Sequence, residues 1–320
     1  MPAISVLMPV RNAGRYLASA IASLRRQSFG DFEVIAVEDG STDGSGERLE
    51  RFARAEPRLR LLRLPPTGLP GALQAGLTLA RGELIARQDA DDVSHPERFA
   101  RQRALLLEHP EVDVVGCRLR LLPPTFAGLG MRRWVEWHNA LLSHEEMARE
   151  VLVDSPLAHG SAMLRRPALE RVCGWREFGG PEDLDLWVRL LRSGARFAKH
   201  PATLYAWRQL LGGVTRSTAR CGREAFDALK LNALATGMLR EHPRTTLIGV
   251  GASLERWTAL LGSAGRVVHA VAAPRPTPAS IDALSPPAVL VFGAAPARAR
   301  WRAALVAAAW REGSDFLFVA

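Results

Sequence analysis

The stretch LIARQDADDVSHPERF, residues 84–99, decides how the rest of the chain is read. An apolar run of strand type ends in three aspartates within four positions, Asp89, Asp91 and Asp92. Just beyond it Ser94 can cap a helix and Pro96 can sit in the first turn, so the stretch predicts a strand, an acidic turn and a helix start. At a strand end, side chains two positions apart point the same way, so Asp89 and Asp91 can jointly face a cation or a ribose.

Upstream the same grammar repeats. ISVLMPV (4–10), FEVIAVEDGS (32–41) and LRLLRL (59–64) read as strands, and YLASAIASLRRQ (16–27), Ser45–Ala55 and the region around ALQAGLTLA (72–80) as helices. Strands alternating with helices predict an α/β fold with a mostly parallel sheet and helices on both faces. Ligands of such sheets gather beyond the carboxyl ends of the strands, so the turns after Val10, Val37 and Gln88 should share one edge. Downstream, VDVVGCRLRLL (112–122) reads as a strand and residues 130–153 as helix. SPLAHGSAMLRR (155–166) reads as a strand, and PEDLDLWVRLLRSG (181–194) as a helix ending at Gly194. From about Arg244 the pattern restarts as a small Rossmann-like unit, which divides the chain into residues 1–243 and 244–320 near EHPR (241–244).

The chain has 320 residues and a formal net charge of +9, which favours polyanionic partners such as nucleotide diphosphates or nucleic acid; genomic base bias is an equally simple source of so much Arg and Ala. Cys117, Cys173 and Cys221 are far apart and without metal-ligand spacing, which excludes a disulfide framework or zinc site and fits a reducing cytoplasm. The amino terminus lacks the marks of a signal peptide, and no run reaches the length of a membrane helix. A soluble cytoplasmic protein is expected.

Paired carboxylates suit magnesium or manganese, which typically keep one or two protein carboxylates and complete their shell with phosphate oxygens and water. Alternatively the acids cap a helix and are solvated. A second acidic turn, EDGSTDG (38–44), belongs to the same predicted edge and can accept hydrogen bonds from a base or ribose. In the third, GGPEDLDLW (179–187), Glu182, Asp183 and Asp185 fall in the first turn of a helix, where the dipole favours carboxylates without any function. That suffices for Asp185, whereas Glu182 and Asp183 follow a Gly-Gly-Pro turn that would hold one carboxylate at a fixed angle, as a general base requires.

The set PVRN (9–12), EDGSTDG, RQDADD (87–92) and PEDLDLWVRL (181–190), in this order, resembles glycosyltransferase family 2 with the GT-A fold. The resemblance implies a nucleotide-sugar donor, usually a UDP-sugar, bound through Mn2+ or Mg2+, and inversion at the anomeric carbon by direct displacement. Carried over by position, it implies that Pro9, Val10 and Arg11 border the nucleotide, that Glu38 or Asp39 meets the base, and that Arg87 and Asp89 lie with the donor. It further implies that Asp91, with Asp89 as the alternative ribose contact, holds the metal, and that Asp183 deprotonates the acceptor hydroxyl. Glu182, His159, Trp187 and Arg208 are candidates for the acceptor side, with a purely structural imidazole as the other reading of His159. The sequence departs from the family at Glu38, where Asp is common, and at Leu210, where many members carry a His, which puts a third protein ligand in doubt.

From Leu186 to Arg223 there is no acid, but there are Arg189, Arg192, Arg196, Lys199, Arg208, Arg216, Arg220 and Arg223; Arg118, Arg120, Arg132 and Arg133 form a second acid-free patch. So many cations suggest a long polyanion, with a solvated basic face as the plain alternative. Over its whole length the chain also resembles queuosine-tRNA galactosyltransferase-like proteins, which implies galactose as the sugar and a nucleoside of tRNA as the acceptor. A cell-surface glycan acceptor, or a non-catalytic module binding nucleotide-sugar or RNA, are the alternatives. LIGVGASLERW (247–257) begins like a dinucleotide fingerprint, but Leu254 stands where the third Gly belongs, and no acid ends the next strand. The second unit therefore reads as a module for acceptor docking or for self-association into a homodimer.

Overall fold

Strands β1 (Ile4–Val10) and β2 (Phe32–Asp39) are buried along nearly their whole length, as interior strands of a parallel sheet covered on both faces must be. The computed structural model describes residues 1–123, 128–210 and 221–320. In its first unit β1 and β2 are joined by β3 (Leu59–Leu64), β4 (Leu84–Arg87), β5 (Val93–Ser94), β6 (Val112–Leu122), β7 (Met163–Arg165) and β8 (Arg196–Arg208). The order is β3-β2-β1-β4-β7-β6-β8-β5, parallel except where β7 runs against β4 and β6 and where β5 runs against β8. The chain steps outward from β1 to β2 and β3, then returns to place β4 on the other flank of β1. This reversal of winding direction opens a crevice beyond the ends of β1 and β4.

The helices are α1 (Leu17–Arg25), α2 (Ser45–Ala55), α3 (Gly68–Leu79), α4 (Arg98–Glu108), α5 (Leu129–Ala140), α6 (His144–Glu150), α7 (Arg166–Arg171) and α8 (Glu182–Arg192). Leu17, Ile21 and Leu24 of α1 recur on one face and are buried, as their spacing predicts. In α3, Gly76 lets the helix lie close on the sheet: a Cβ there would stand 3.1 Å from Val37 and 3.3 Å from Leu7. At the amino ends of the strands Glu33 is gripped by Ser5 (2.8 Å), Arg60 (3.0 Å) and Arg81 (2.7 Å).

Three local expectations change. Ser94 does not cap a helix; it sits in β5, and α4 begins at Arg98 because pairing with Tyr205 and Ala206 of β8 keeps Val93 and Ser94 extended. The helix expected over 130–153 is broken at Leu141–Ser143. There Ser143 and Glu146 form a reciprocal cap, the Glu146 N–H donating to Ser143 Oγ and the Ser143 N–H to Glu146 Oε2. Residues 155–166 are strand only over Met163–Arg165, preceded by a single 3-10 turn, His159–Ser161.

The second unit gathers residues 148–155 and 219–320. Its sheet, β9 (Arg244–Gly249), β10 (Val267–Ala272), β11 (Ala288–Val291) and β12 (Phe316–Phe318), has the order β10-β9-β11-β12, all parallel. The described residues 221–243 group with this unit, whereas the sequence pattern set the division at 243/244. Leu234 in the helix Arg223–Thr236 and Leu239 just beyond it are buried with Leu247, Trp257, Leu261 and Val289 in one core. Glu150, in the returning segment, is clasped by Arg298 (3.0 Å) and Arg302 (2.8 Å).

Candidate active site

The register of β1 with β4, Leu7 opposite Arg87, brings the acidic turn to the crevice beside the end of β1. Three attachments fix that turn. Arg87 Nη2 donates to Asp89 Oδ1 at 2.6 Å, the Asp89 N–H donates to Tyr205 Oη at 3.2 Å, and the Arg208 N–H donates to Asp92 Oδ1 at 2.6 Å. Arg208 Nε also donates to the Asp91 carbonyl at 2.6 Å, and its guanidinium lies 4.6 Å from the ring centre of Tyr16. Beneath the turn, Arg98 is fully buried and donates to Gln102, Gln88, Ser94 and the carbonyl of Arg87.

The electrostatics of the turn are unrelieved. Burial, then the neighbouring Asp89 carboxylate, pushes Asp91 up to about 6. Burial and the charges of Asp91 and Asp89 push Asp92 well above the usual range, although the Arg208 N–H and the Tyr205 hydroxyl both bind it. A divalent cation at Asp89 and Asp91 would remove this repulsion, and oxygen donors are what magnesium and manganese take. Among the described residues no cluster of three or more His, Cys, Asp or Glu is set to hold a metal. Two carboxylates, with the remaining positions left to phosphate oxygens and water, therefore fit such an ion.

Opposite Asp89 stands the His159–Ser161 turn. Gly160 is packed so closely that a Cβ would collide with both Asp89 Oδ2 and Tyr205 Oη. Next to it, His159 Nδ1 lies 3.1 Å from Glu182 Oε1, and Trp175 Nε1–H donates to His159 Nε2 at 2.9 Å. Burial and the Arg87 charge hold the imidazole below its ordinary value, against the pull of Glu182. Burial, the largest influence, would raise Glu182, but the hydrogen bond from His159, the helix-start backbone and the Arg87 charge together outweigh it, and the carboxyl lies below its ordinary value. The pair is a neutral imidazole donating to a carboxylate. Asp183 follows directly at the head of α8, half-buried, its Oδ1 accepting from the Leu184 N–H at 2.7 Å. Asp185 is buried and bound by Arg176 and Arg189, a structural place as its sequence context suggested. The same crevice thus receives Asp89 from β4 and, through residues 159 and 160, Glu182 from α8.

The second acidic turn, EDGSTDG (38–44), folds onto the loop after β1. The Asn12 N–H donates to Ser41 Oγ, Asn12 Oδ1 accepts from the Thr42 N–H, and the Gly14 N–H donates to Asp43. Asp39 is buried and accepts from the Thr67 N–H (2.6 Å), the Thr67 hydroxyl (2.8 Å) and the Gly68 N–H (3.0 Å), with exposed Arg11 at 3.8 Å. It therefore ties down the start of α3, and a base contact has only its remaining acceptor capacity. Glu38 accepts from the Ser41 N–H within its own turn.

Several expected contacts do not reach the crevice as side chains. Val10 is in the core, although Pro9 beside it is half-buried and Arg11 exposed. Arg87 has no exposed surface; it acts on Asp89 and on the Leu7 carbonyl, and its Nε has no hydrogen-bond partner. Trp187 is fully buried and donates to the Leu157 carbonyl, which removes it from the acceptor side. Arg208 belongs to the acidic turn. The basic run also disperses: Arg189 is spent on Asp185, buried Lys199 donates to the His138 carbonyl, and Arg196 pairs with Glu145. Arg216 and Arg220 lie outside the described residues. Tyr205, Gly160, Trp175 and Arg98 were not anticipated, since each acts through a partner distant in sequence.

Comparison with known proteins gives the family and the fold. The family described as glycosyl transferase family 2 matches residues 5–173. The putative glycosyltransferase EpsE of Bacillus subtilis (strain 168) is 32% identical over 65% of this chain and 73% of its own length. The O-antigen biosynthesis glycosyltransferase WbnJ of Escherichia coli is 26% identical over 59% of this chain and 71% of its own. Two solved structures share the fold: S. aureus TarS 1–349 in complex with UDP-GlcNAc, and the mannosyltransferase PcManGT from Pyrobaculum calidifontis in complex with GDP-Man and Mn2+. Their TM-scores are 0.59 and 0.53 and their identities 20% and 19%; they cover 72% and 82% of this chain and 66% and 69% of their own.

Proposed function

Because the chain belongs to glycosyl transferase family 2, we propose that this glycosyltransferase moves a hexose, with inversion, from a nucleoside-diphosphate sugar to a hydroxyl of a cell-surface glycan. The observation that carries the reading is the approach of Asp89 and Glu182 to adjacent residues of one turn, Gly160 and His159.

In this reading Asp89 and Asp91 hold a divalent cation, manganese or magnesium, which when bound supplies positive charge against the departing diphosphate. Arg87 and Tyr205 keep Asp89 aimed at the crevice, and Arg208 keeps the turn closed by its bonds to Asp91 and Asp92. Asp183 accepts the proton of the acceptor hydroxyl as that oxygen bonds to the anomeric carbon and the bond from that carbon to the diphosphate oxygen breaks. Base assistance of this kind is worth about 10²- to 10⁴-fold. Pro9 and Arg11 border the nucleotide, for which a UDP-sugar is the favoured form.

The glycan acceptor is supported by the O-antigen biosynthesis for which one relative is named. A tRNA nucleoside is the second reading, since Arg120, Arg133 and Arg196 of the acid-free stretches are exposed and a polyanion needs cations that face outward. The deciding experiment is turnover of a panel of UDP- and GDP-sugars with Mn2+ or Mg2+, with saccharide acceptors in one arm and bulk tRNA in the other. Stimulation by saccharides is expected. Stimulation by tRNA alone would overturn the acceptor, and inertness toward every nucleotide-sugar would overturn the donor. No helix among the described residues is long and apolar enough to cross a membrane.

A further inference from the structure

An indole N–H can only donate a hydrogen bond, so the His159 Nε2 that accepts from Trp175 at 2.9 Å must be bare. The single proton of the neutral imidazole then resides on Nδ1, and His159 can present only a donor to Glu182 Oε1, 3.1 Å away. Trp175 is itself held in place. It is buried, its backbone N–H donates to Gln74 Oε1 of α3 at 3.0 Å, and the chain enters it through Gly174 at φ 66°. We infer that Trp175 is a positioning residue for the transfer reaction, acting as a tautomer lock: through His159 it fixes the polarity of the bond to Glu182 and thereby the aim of the Glu182–Asp183 pair at the head of α8.

Without the indole donor the imidazole proton can move to Nε2, which turns an acceptor, Nδ1, toward a carboxylate that has no proton to give. The kinetic part of this inference rests on the transfer reading above; the tautomer itself does not. Nitrogen-15 NMR of labelled imidazoles reads the tautomer directly. In the native protein near neutral pH His159 should be neutral and protonated on Nδ1. Trp175→Phe, which keeps an aromatic ring but no donor, should introduce the Nε2–H form and lower kcat about tenfold, the equivalent of one buried hydrogen bond, with the donor KM changed less than about twofold. Glu182→Gln should keep the native tautomer, since the indole bond survives and the amide oxygen can still accept. An Nε2–H or doubly protonated His159 in the native protein refutes the lock, as does its loss in Glu182→Gln. An unchanged kcat in a Trp175→Phe protein whose tautomer has shifted refutes the positioning role. If no donor is turned over at all, the transfer reading fails while the tautomer result still stands on its own.

Discussion

Replacing Asp91 by asparagine should make the divalent-free protein harder to unfold near neutral pH while abolishing its response to manganese. The carboxyl is pushed from 3.8 to about 6 by burial and by Asp89, so at neutral pH the folded state carries a charge that it holds less comfortably than the unfolded chain does. The shift of about two units corresponds to about 3 kcal/mol, and because Asp91 is only partly shielded from water the realised effect is about 1–3 kcal/mol. The sign follows from proton counting: between the unfolded and folded values the folded state binds more protons, so native stability falls as pH rises through that window. The amide carries no charge at any pH and escapes the penalty. Urea unfolding in chelator should therefore place Asp91→Asn above the native protein at about pH 7.5 and level with it near pH 4. Added Mn2+ should reverse the ranking, because only the native protein gains the binding free energy, about 2.7 kcal/mol at a hundredfold excess over Kd. A variant no more stable than the native protein in chelator at neutral pH, or one that responds to Mn2+ as the native protein does, would show that the acidic turn is not the strained cation site described above.

Gly160→Ala drives a methyl group into Asp89 and Tyr205; overpacking of this kind costs about 1–3 kcal/mol, and turnover should fall further than the melting temperature predicts, as paired kinetic and thermal measurements would reveal. Asp183→Asn should retain nucleotide-sugar binding by calorimetry and lose about 10²- to 10⁴-fold in kcat; equal loss of both would assign Asp183 to donor binding instead. Glu150→Gln in the second unit leaves buried Arg298 without its carboxylate and should destabilise that unit by about 3 kcal/mol in chemical denaturation, a figure that a neutral result would contradict.

The sites of the acidic turns were legible in the sequence because strand ends and helix starts are written locally. The strands Leu59–Leu64 and Val112–Leu122 and the helix Ser45–Ala55 have the bounds that their apolar patterns predict. The break at Leu141–Ser143 was also written there, in Ser143 followed three residues later by Glu146, and was masked by the longer helical periodicity around it. Other features had no local signature. Ser94 becomes a strand residue through pairing with Tyr205, and Arg208 becomes a clasp for Asp91 and Asp92 because β8 returns beside β5. The direction of the basic side chains had no local signature either: Arg189 and Lys199 are aimed inward, whereas Arg192 and Arg196 are exposed. Trp175 resembles any core aromatic until His159 is seen to meet it.

The grip on Glu33 at the amino ends of the strands bears on how acid would act. Burial alone would raise this carboxyl, yet hydrogen bonds from Arg81, Ser5 and Arg60 bring it down to about 2, so its contribution to stability is intact above its ordinary value of 4.5 and fades only toward the lower one. Asp91, at the opposite ends of the same strands, gives up its charge near pH 6. Mild acidification should thus silence the molecule without melting it: an idle, still folded protein that recovers when the medium is neutralised.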